Sequence, residues 1–325
     1  MGSFLRKAYT KRSNVITTST HERWQSLLGG VNADFHLFHA EGMKTWNTTY
    51  NPIPDNHKIY NSLNLPINQD YTVVLSQNKL AHFQLMEQYA QALQIPLISW
   101  EHCLPVPNLP VGHILARKKM SGEFNVFISD FSRKAWLYEE DEAEVIHHGL
   151  DTDLFCLGQK ERKGQLLSVV NDWRNRDWCC GFRLWEEATK GLNVKVWGDT
   201  PGISVAADGV EHLISEYQES RVFVNTSLIS PVPMALLEAA SCGCAIVTSE
   251  TCMIPEIFTH GKDCFMSNDP KKLRNYCQKL LQDEQLATEM GLAARKTIVD
   301  NYNLPKFVAK FNDLLDRASN CILGA

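Results

Sequence analysis

The sequence has no run of about 18 apolar residues, so no membrane-spanning helix is expected. Its basic start, MGSFLRKAYTKRSNVITTST, is not followed by an apolar core, so no secretory signal is expected either. Ten cysteines are present without a single C-x-x-C pair. Cys179 and Cys180 are adjacent, and Cys242 and Cys244 lie in an apolar run. That usage argues against a disulfide frame or a zinc site and for reduced, mostly buried thiols in a cytoplasm. Low-complexity segments and short-period repeats are absent. So is any bulk excess of one charge: the net charge is −5, with 13 basic and 14 acidic residues up to Leu150. A bulk polyanion binder is thereby excluded. A local basic patch stays open, the candidates being Arg117, Lys118 and Lys119 together with Arg6, Lys7, Lys11 and Arg12. The acidic YEEDEAE run reads as a solvated face.

What is present is a chain of 325 residues, 44% hydrophobic and 21% charged, as in a soluble globular protein with room for two ordinary domains. Short apolar or β-branched runs alternate with helical patterns. NVITTST leads into HERWQSLLGG and is followed by DFHLFHA. YTVVLSQ leads into LAHFQLMEQYAQALQ and IPLISWEH, and EFNVFISDFS into RKAWLYEE and AEVIHHG. The rhythm restarts after LDTDLF with QLLSVVND, CGFRLWEEATKG, NVKVWGD, GVEHLISEYQES, VFVNTS, PMALLEAASCG and AIVTSE, then closes in helices. This βαβα order implies parallel, doubly wound sheets. The expected architecture is α/β, with two Rossmann-like domains, 1–150 and 151–325, facing a cleft, and ligands at the carboxyl ends of the strands.

The stretch SPVPMALLEAASCGCAIVTSETCMIPE, residues 230–256, carries the most chemistry. Pro231 and Pro233 block helix in the loop, and Pro233 stands near the first turn of the helix that follows. The amides of Pro233's successors, Met234 and Ala235, open that helix and suit a phosphate. Glu238 lies about a turn and a half in. A carboxylate there repels phosphate but can accept hydrogen bonds from vicinal hydroxyls, as on a ribose. Equally, it can be a solvated or core-edge acid on an amphipathic helix. Gly243 ends the helix in the left-handed position, and Pro255 opens another.

These residues resemble the signature of glycosyltransferase family 4, retaining enzymes of the GT-B fold. ALLEAASCGCAIVTS and IPEIFTHGKDCFMSND are similar to its E-A-x-A-x-G-x-P-V-V and G-G-x-x-E segments. EVIHHGLDTDLF resembles the interdomain V-x-x-N-G-V-D, and NVKVWGDTPG, with Gly198, a strand ending in a G-x-G-P-like loop. The likeness covers roughly residues 70–318, and in its shortness the chain resembles phage-encoded members, some of which glycosylate modified bases in DNA. The resemblance implies a nucleotide-diphosphate sugar as donor, UDP-linked in first place. It implies no cofactor, no required metal, and a leaving phosphate that accepts the acceptor's proton. The departures are specific. The family's first glutamate is Ser230, a loop glycine is Pro233, and the later Gly-Gly is Cys252-Met253. A narrowed, altered donor pocket is therefore expected, one suited to a pentose or to a hexose held otherwise. The family's diphosphate clamp, G-R-x-x-x-K-G, is replaced by VVNDWRNRDWCCGF, where Arg174 and Arg176 are the available cations. Read by themselves they are also ordinary surface charges.

On the first domain, His102 stands just past a strand end, where the family places a histidine over the transferred sugar and its leaving phosphate. Glu101 is expected to orient it or to face the acceptor. Thr20, His21 and Arg23, in a loop where the family often has Gly-Gly, are read as acceptor-side contacts, with Thr18 or Ser19 as N-caps of the next helix. Trp46 and Tyr50 either stack on a sugar or base, or pack their long loop onto the domain. The expected activity is retaining transfer of a sugar to a hydroxyl on a glycan, a lipid or a hydroxymethylated base in DNA. A sugar-nucleotide-binding protein without transfer is the competing reading. A sugar-nucleotide epimerase ranks last for want of paired carboxylates.

Overall fold

The computed structural model describes residues 12–66, 69–79 and 82–321; Arg6, Lys7 and Lys11 of the basic start lie outside the described residues. The chain forms two compact units. One comprises Met1–Glu101, Met120–Asn125 and Val308–Ala325, the other His102–Lys119 and Val126–Phe307.

The first unit holds β1 (Ser13–Thr17), α1 (Glu22–Gln25), β2 (Ala33–Phe38), β3 (His57–Tyr60), β4 (Val73–Ser76), α2 (Phe83–Leu93) and β5 (Leu97–Glu101). Its strands run parallel in the order β3-β2-β1-β4-β5. β1, β2, β4 and β5 are buried along almost their whole length, which is why they read in the sequence as apolar runs without alternation. β3 is a shorter edge strand with only His57 buried, and HKIY gives no pattern from which to expect it. α2 turns Phe83, Met86 and Ala90 inward and ends at Gln94, whose φ is 53°. Trp100 stacks on Trp24 and on Phe311 of the C-terminal segment, at 5.5 and 5.0 Å between ring centroids.

The second unit begins with α3 (Val111–Lys118). The basic run Arg117, Lys118 and Lys119, a candidate for the local basic patch, is the last turn of this helix and its cap, cations at the negative end of the dipole. Lys118 donates to the Leu137 carbonyl and to Glu142 at 2.7 and 2.6 Å. β6 (Phe124–Phe127) crosses into this unit and pairs with β7 (Glu144–Val145). Between them α4 (Asp130–Ala135) starts earlier and stops sooner than RKAWLYEE suggested. A Ser129–Ser132 capping box opens it, and Leu137 at φ 63° ends it.

The rest of the unit is β8 (Lys163–Val169), α5 (Asp177–Cys180), α6 (Phe182–Thr189), β9 (Val194–Trp197), α7 (Gly209–Glu219), β10 (Ser220–Asn225), α8 (Met234–Ser241), β11 (Ala245–Thr248), α9 (Ile254–Ile257), β12 (Phe265–Met266), α10 (Pro270–Gln282), α11 (Glu284–Asn301) and α12 (Leu304–Ser319), the last passing into the first unit at Val308. β8 to β12 form a parallel sheet in the order β12-β11-β10-β8-β9, and α8 and α11 close over its core. Among the described residues no helix is long and apolar enough to cross a membrane.

Candidate functional site

Everything in the 230–256 stretch hangs on α8. Its inward face is apolar: Leu236, Leu237, Ala239 and Ala240 are fully buried. The lip from Ser230 to Ala235 is only half-buried, and Pro233 occupies the N-cap without a side-chain hydrogen bond. Gly243 takes φ 82°, and a Cβ there would come within 2.5 Å of Leu157. Glu238 lies on the buried side of this helix. It is 1% exposed, and the Tyr217 hydroxyl of α7 donates to its Oε2 at 2.9 Å. The helix that buries its neighbours carries the acid down with them.

The arginine loop is fastened to the loop that leads into this lip. After β8, Asp172 adopts φ 48° and its amide donates to the Asp199 carbonyl at 2.7 Å. Trp173 is fully buried and its indole donates to the Cys180 carbonyl, which leaves Arg174 and Arg176 exposed on either side of Asn175. The Arg174 guanidinium sits 5.7 Å from the centre of the Phe182 ring. Gly198, expected as a donor contact, has a steric reason to be glycine: φ is 119°, and a Cβ would lie 2.1 Å from the Val170 carbonyl oxygen. Two amides of the β10–α8 loop, Leu228 and Ile229, donate to the Cys179 carbonyl at 2.8 and 3.0 Å. The Thr226 hydroxyl donates to the Gly181 carbonyl at 2.9 Å. The loop bearing the arginines and the loop bearing Ser230 are therefore one frame.

A third loop joins it. The Ser249 and Thr251 hydroxyls both donate to the Ser227 carbonyl, at 2.5 and 2.6 Å. Cys252 stands at φ 52°, the left-handed region that a glycine would occupy without strain. Its thiol points to the Leu228 carbonyl at 3.5 Å. Burial pushes the thiol pKa up, and the Ser230 amide opposes that. Met253 does not narrow a pocket as expected, because its side chain is fully buried in the core under α8. Glu256, next on α9, accepts the amides of Asp130 and Phe131 at 3.1 and 2.5 Å and so caps the first turn of α4. That role is invisible in the sequence, since the partners lie 126 and 125 residues away.

His102 belongs to this second unit and is half-buried. Its Nδ1 lies 3.1 Å from Nε2 of His148, a residue the sequence reading passed over inside the interdomain motif. Among the described residues no group of three or more His, Cys, Asp or Glu is placed to hold a metal ion.

The acceptor-side expectations fare differently, all within the first unit. Trp46 is 9% exposed and its indole donates to the Asn51 carbonyl at 2.8 Å, so it packs its loop and offers no stacking face. Tyr50 is exposed. The buried Glu101 carboxylate accepts the Lys79 amide at 2.8 Å. Thr20 turns its hydroxyl to Gln77 and its amide to Gln25. His21, exposed, is the N-cap residue of α1. Neither Thr18 nor Ser19 caps that helix: the Thr18 hydroxyl is paired with His82 Nδ1 at 3.3 Å, and Ser19 is buried. Arg23 is half-buried beside Glu22. The Glu22 carboxylate accepts Lys44 Nζ and the Asn47 amide at 2.8 and 2.9 Å. Burial raises its pKa, and Lys44, its own amide and the Asn47 amide together more than offset that and lower it from the usual carboxylate value. The result is a braced polar loop in place of a glycine turn.

Residues 207–297 match the family described as Glycosyl transferases group 1. A curated relative, N-acetyl-alpha-D-glucosaminyl L-malate synthase of Bacillus anthracis, is 28% identical over 83 residues, 25% of this chain and 22% of that protein. Among solved structures, Anabaena Alr3699/HepE in complex with UDP superposes with a TM-score of 0.73 at 12% identity, over 94% of this chain and 99% of that one. The same protein in complex with UDP and glucose gives 0.71 at 11% over the same shares. Sucrose-phosphate synthase of Thermosynechococcus elongatus gives 0.73 at 12%, over 93% and 98%. At such identities the likeness speaks to architecture, and the chain has the mixed α/β, Rossmann-like fold of GT-B glycosyltransferases. Its segment from α7 into α11, with α8 and Glu238 inside it, is similar to that of group 1 transferases.

Proposed function

We propose that this chain transfers a sugar, with retention, from a UDP-sugar to a hydroxyl acceptor. The observation that carries the reading is the shared frame of three loops. It fastens the chain just after Arg174 and Arg176 to the loop that leads into the lip Ser230–Ala235 at the N-terminus of α8; that lip lies inside the segment similar to group 1 transferases, and the arginines precede it. Two guanidinium groups and a helix N-terminus are a fitting receptor for a diphosphate whose negative charge grows as it leaves. The complexes of Anabaena HepE with UDP, and with UDP and glucose, support the donor class. Tyr217 orients the Glu238 carboxylate beneath the lip, where it is the acid proposed for the ribose hydroxyls. His102 is proposed to meet the transferred sugar or its leaving phosphate. The acceptor's proton goes to the departing phosphate oxygen as the new C–O bond forms, so the reading requires neither a second carboxylate nor a metal. Ser230 cannot span the distance a glutamate would, and a donor other than glucose in the usual pose follows from that.

The test crosses UDP-glucose, UDP-xylose and other sugar nucleotides with glycan, lipid and hydroxymethylated-DNA acceptors, read as UDP release and as mass gain on the acceptor. Tight binding with no release for any pair would make the protein a sugar-nucleotide receptor and overturn transfer.

A further inference from the structure

His148 is presented to His102 from a backbone held on both sides. His147 Nδ1 lies 2.9 Å from the Ile128 carbonyl oxygen. The Leu150 amide donates to Tyr302 and its carbonyl accepts from Leu304, each at 2.8 Å. Gly149 between them has no room for a side chain, since a Cβ would lie 2.7 Å from Phe307 Cβ. His148 itself is 7% exposed, and its ring lies 5.2 Å between centroids from the ring of His102.

A contact of 3.1 Å between Nδ1 of one imidazole and Nε2 of another holds a single proton. With both rings neutral, two arrangements exist. If His148 Nε2–H donates to His102 Nδ1, both rings are Nε2–H tautomers, the more stable neutral form of the side chain in water. If the proton sits on His102 Nδ1, both rings take the less stable form. We propose that His148 is a positioning residue that fixes His102 as an Nε2–H donor. His102 then gives a hydrogen bond to an oxygen of the leaving phosphate or of the transferred sugar, and does not remove the acceptor's proton. The inference rests on the UDP-sugar reading for the role of His102, but not for the tautomer.

Nitrogen-15 NMR of the imidazole side chains in the full-length protein near pH 8 reads the tautomer directly. His102 is assigned by its loss in His102→Gln. The expected signature is an unprotonated Nδ1 and a protonated Nε2, and a protonated Nδ1 in the wild type would overturn the proposal. In folded His148→Phe, the His102 signals should move toward tautomer averaging. Turnover of UDP-glucose or UDP-xylose should fall about tenfold in kcat with little change in KM, the loss of one hydrogen bond. His148→Gln, with an amide N–H close to the place of Nε2, should restore most of it. A His148→Phe protein with wild-type kcat and an unmoved His102 signature sinks the proposal alone. Unchanged turnover in His102→Ala would instead sink the assignment of His102 in the UDP-sugar reading, and wild-type protein that releases no UDP leaves the nitrogen signature to decide by itself.

Discussion

Cys252 occupies a backbone conformation that L-residues adopt only at a cost of roughly 1–2 kcal/mol. A small side chain unbranched at Cβ is the least costly one, after glycine, in such a conformation. Cys252→Gly is therefore expected to keep the wild-type melting temperature or raise it slightly. Cys252→Val, branched at Cβ, should lose about 1–2 kcal/mol relative to the glycine variant. Equal stabilities of the two by chemical denaturation would contradict the strain. Arg174 and Arg176 invite the opposite kind of test, since both are exposed and the fold does not depend on their charge. Arg174→Glu/Arg176→Glu should leave the melting temperature within about a degree or two, surface changes being small. It should weaken UDP binding at least tenfold and flatten its salt dependence. Calorimetry giving wild-type affinity at low and high salt would place the diphosphate elsewhere.

Elements show which parts of this chain speak in sequence and which do not. Strands of a parallel sheet covered on both faces announce themselves: β4, β5 and β11 lie within the runs expected of them, and β1, β2, β8 and β10 begin one or two residues before theirs. α3 stays silent because it buries none of its residues and follows Pro105, Pro107 and Pro110, so neither an apolar stripe nor a clean start marks it. The lip before α8 and the arginine loop were legible as composition: prolines, glycines and cations at strand ends. Their fastening was not, because it runs through main-chain groups of residues far apart, such as the Cys179 carbonyl and the Leu228 amide. His102 with His148 and Glu256 with α4 were hidden by separation alone, the partners lying 46 and 125–126 residues apart. Gly181 is where that fastening is most vulnerable. Its φ is 63°, and a Cβ would stand 2.0 Å from the Thr226 carbonyl oxygen. Gly181→Ala must push the arginine loop off the β10–α8 loop, at a cost of about 2–4 kcal/mol. Unlike an ordinary destabilising change, it should also weaken UDP binding under conditions where the protein remains fully folded. A variant that loses stability yet binds UDP normally would show that the two loops need not move as one.

Across the whole chain, acid stability should be set first by two histidines that no proposed step uses. His36 is fully buried, 3.0 Å from the Tyr60 hydroxyl and 3.2 Å from Asn14 Oδ1. His57, 6% exposed, packs against the rings of Phe35 and Trp46. Burial lowers both pKa values to about 4; for His36, Lys58 adds to the effect and Asp34 opposes it. In the unfolded chain each titrates near 6.5, so between about pH 6.5 and 4 the unfolded state binds more protons than the folded one. Stability must then fall as the pH drops through that window, by at most about 3 kcal/mol per histidine. The carboxylates whose pKa values are lowered by their partners, Asp130 and Glu22 among them, act in the other part of the scale. Their contribution is present above the ordinary carboxylate pKa and is lost only below it, so the upper window belongs chiefly to His36 and His57; His21 and His82, whose pKa values burial also lowers, add to the slope, and Glu256, whose pKa burial raises, opposes it. Urea denaturation at half-unit steps from pH 7.5 to 4.5 should show the midpoint falling steadily below pH 6.5. The variant His36→Gln/His57→Gln, less stable at neutral pH, should lose most of that slope. If its midpoint falls with pH as steeply as the wild type's, the acid sensitivity lies in other groups, and the two buried rings are neutral by packing without consequence for the fold.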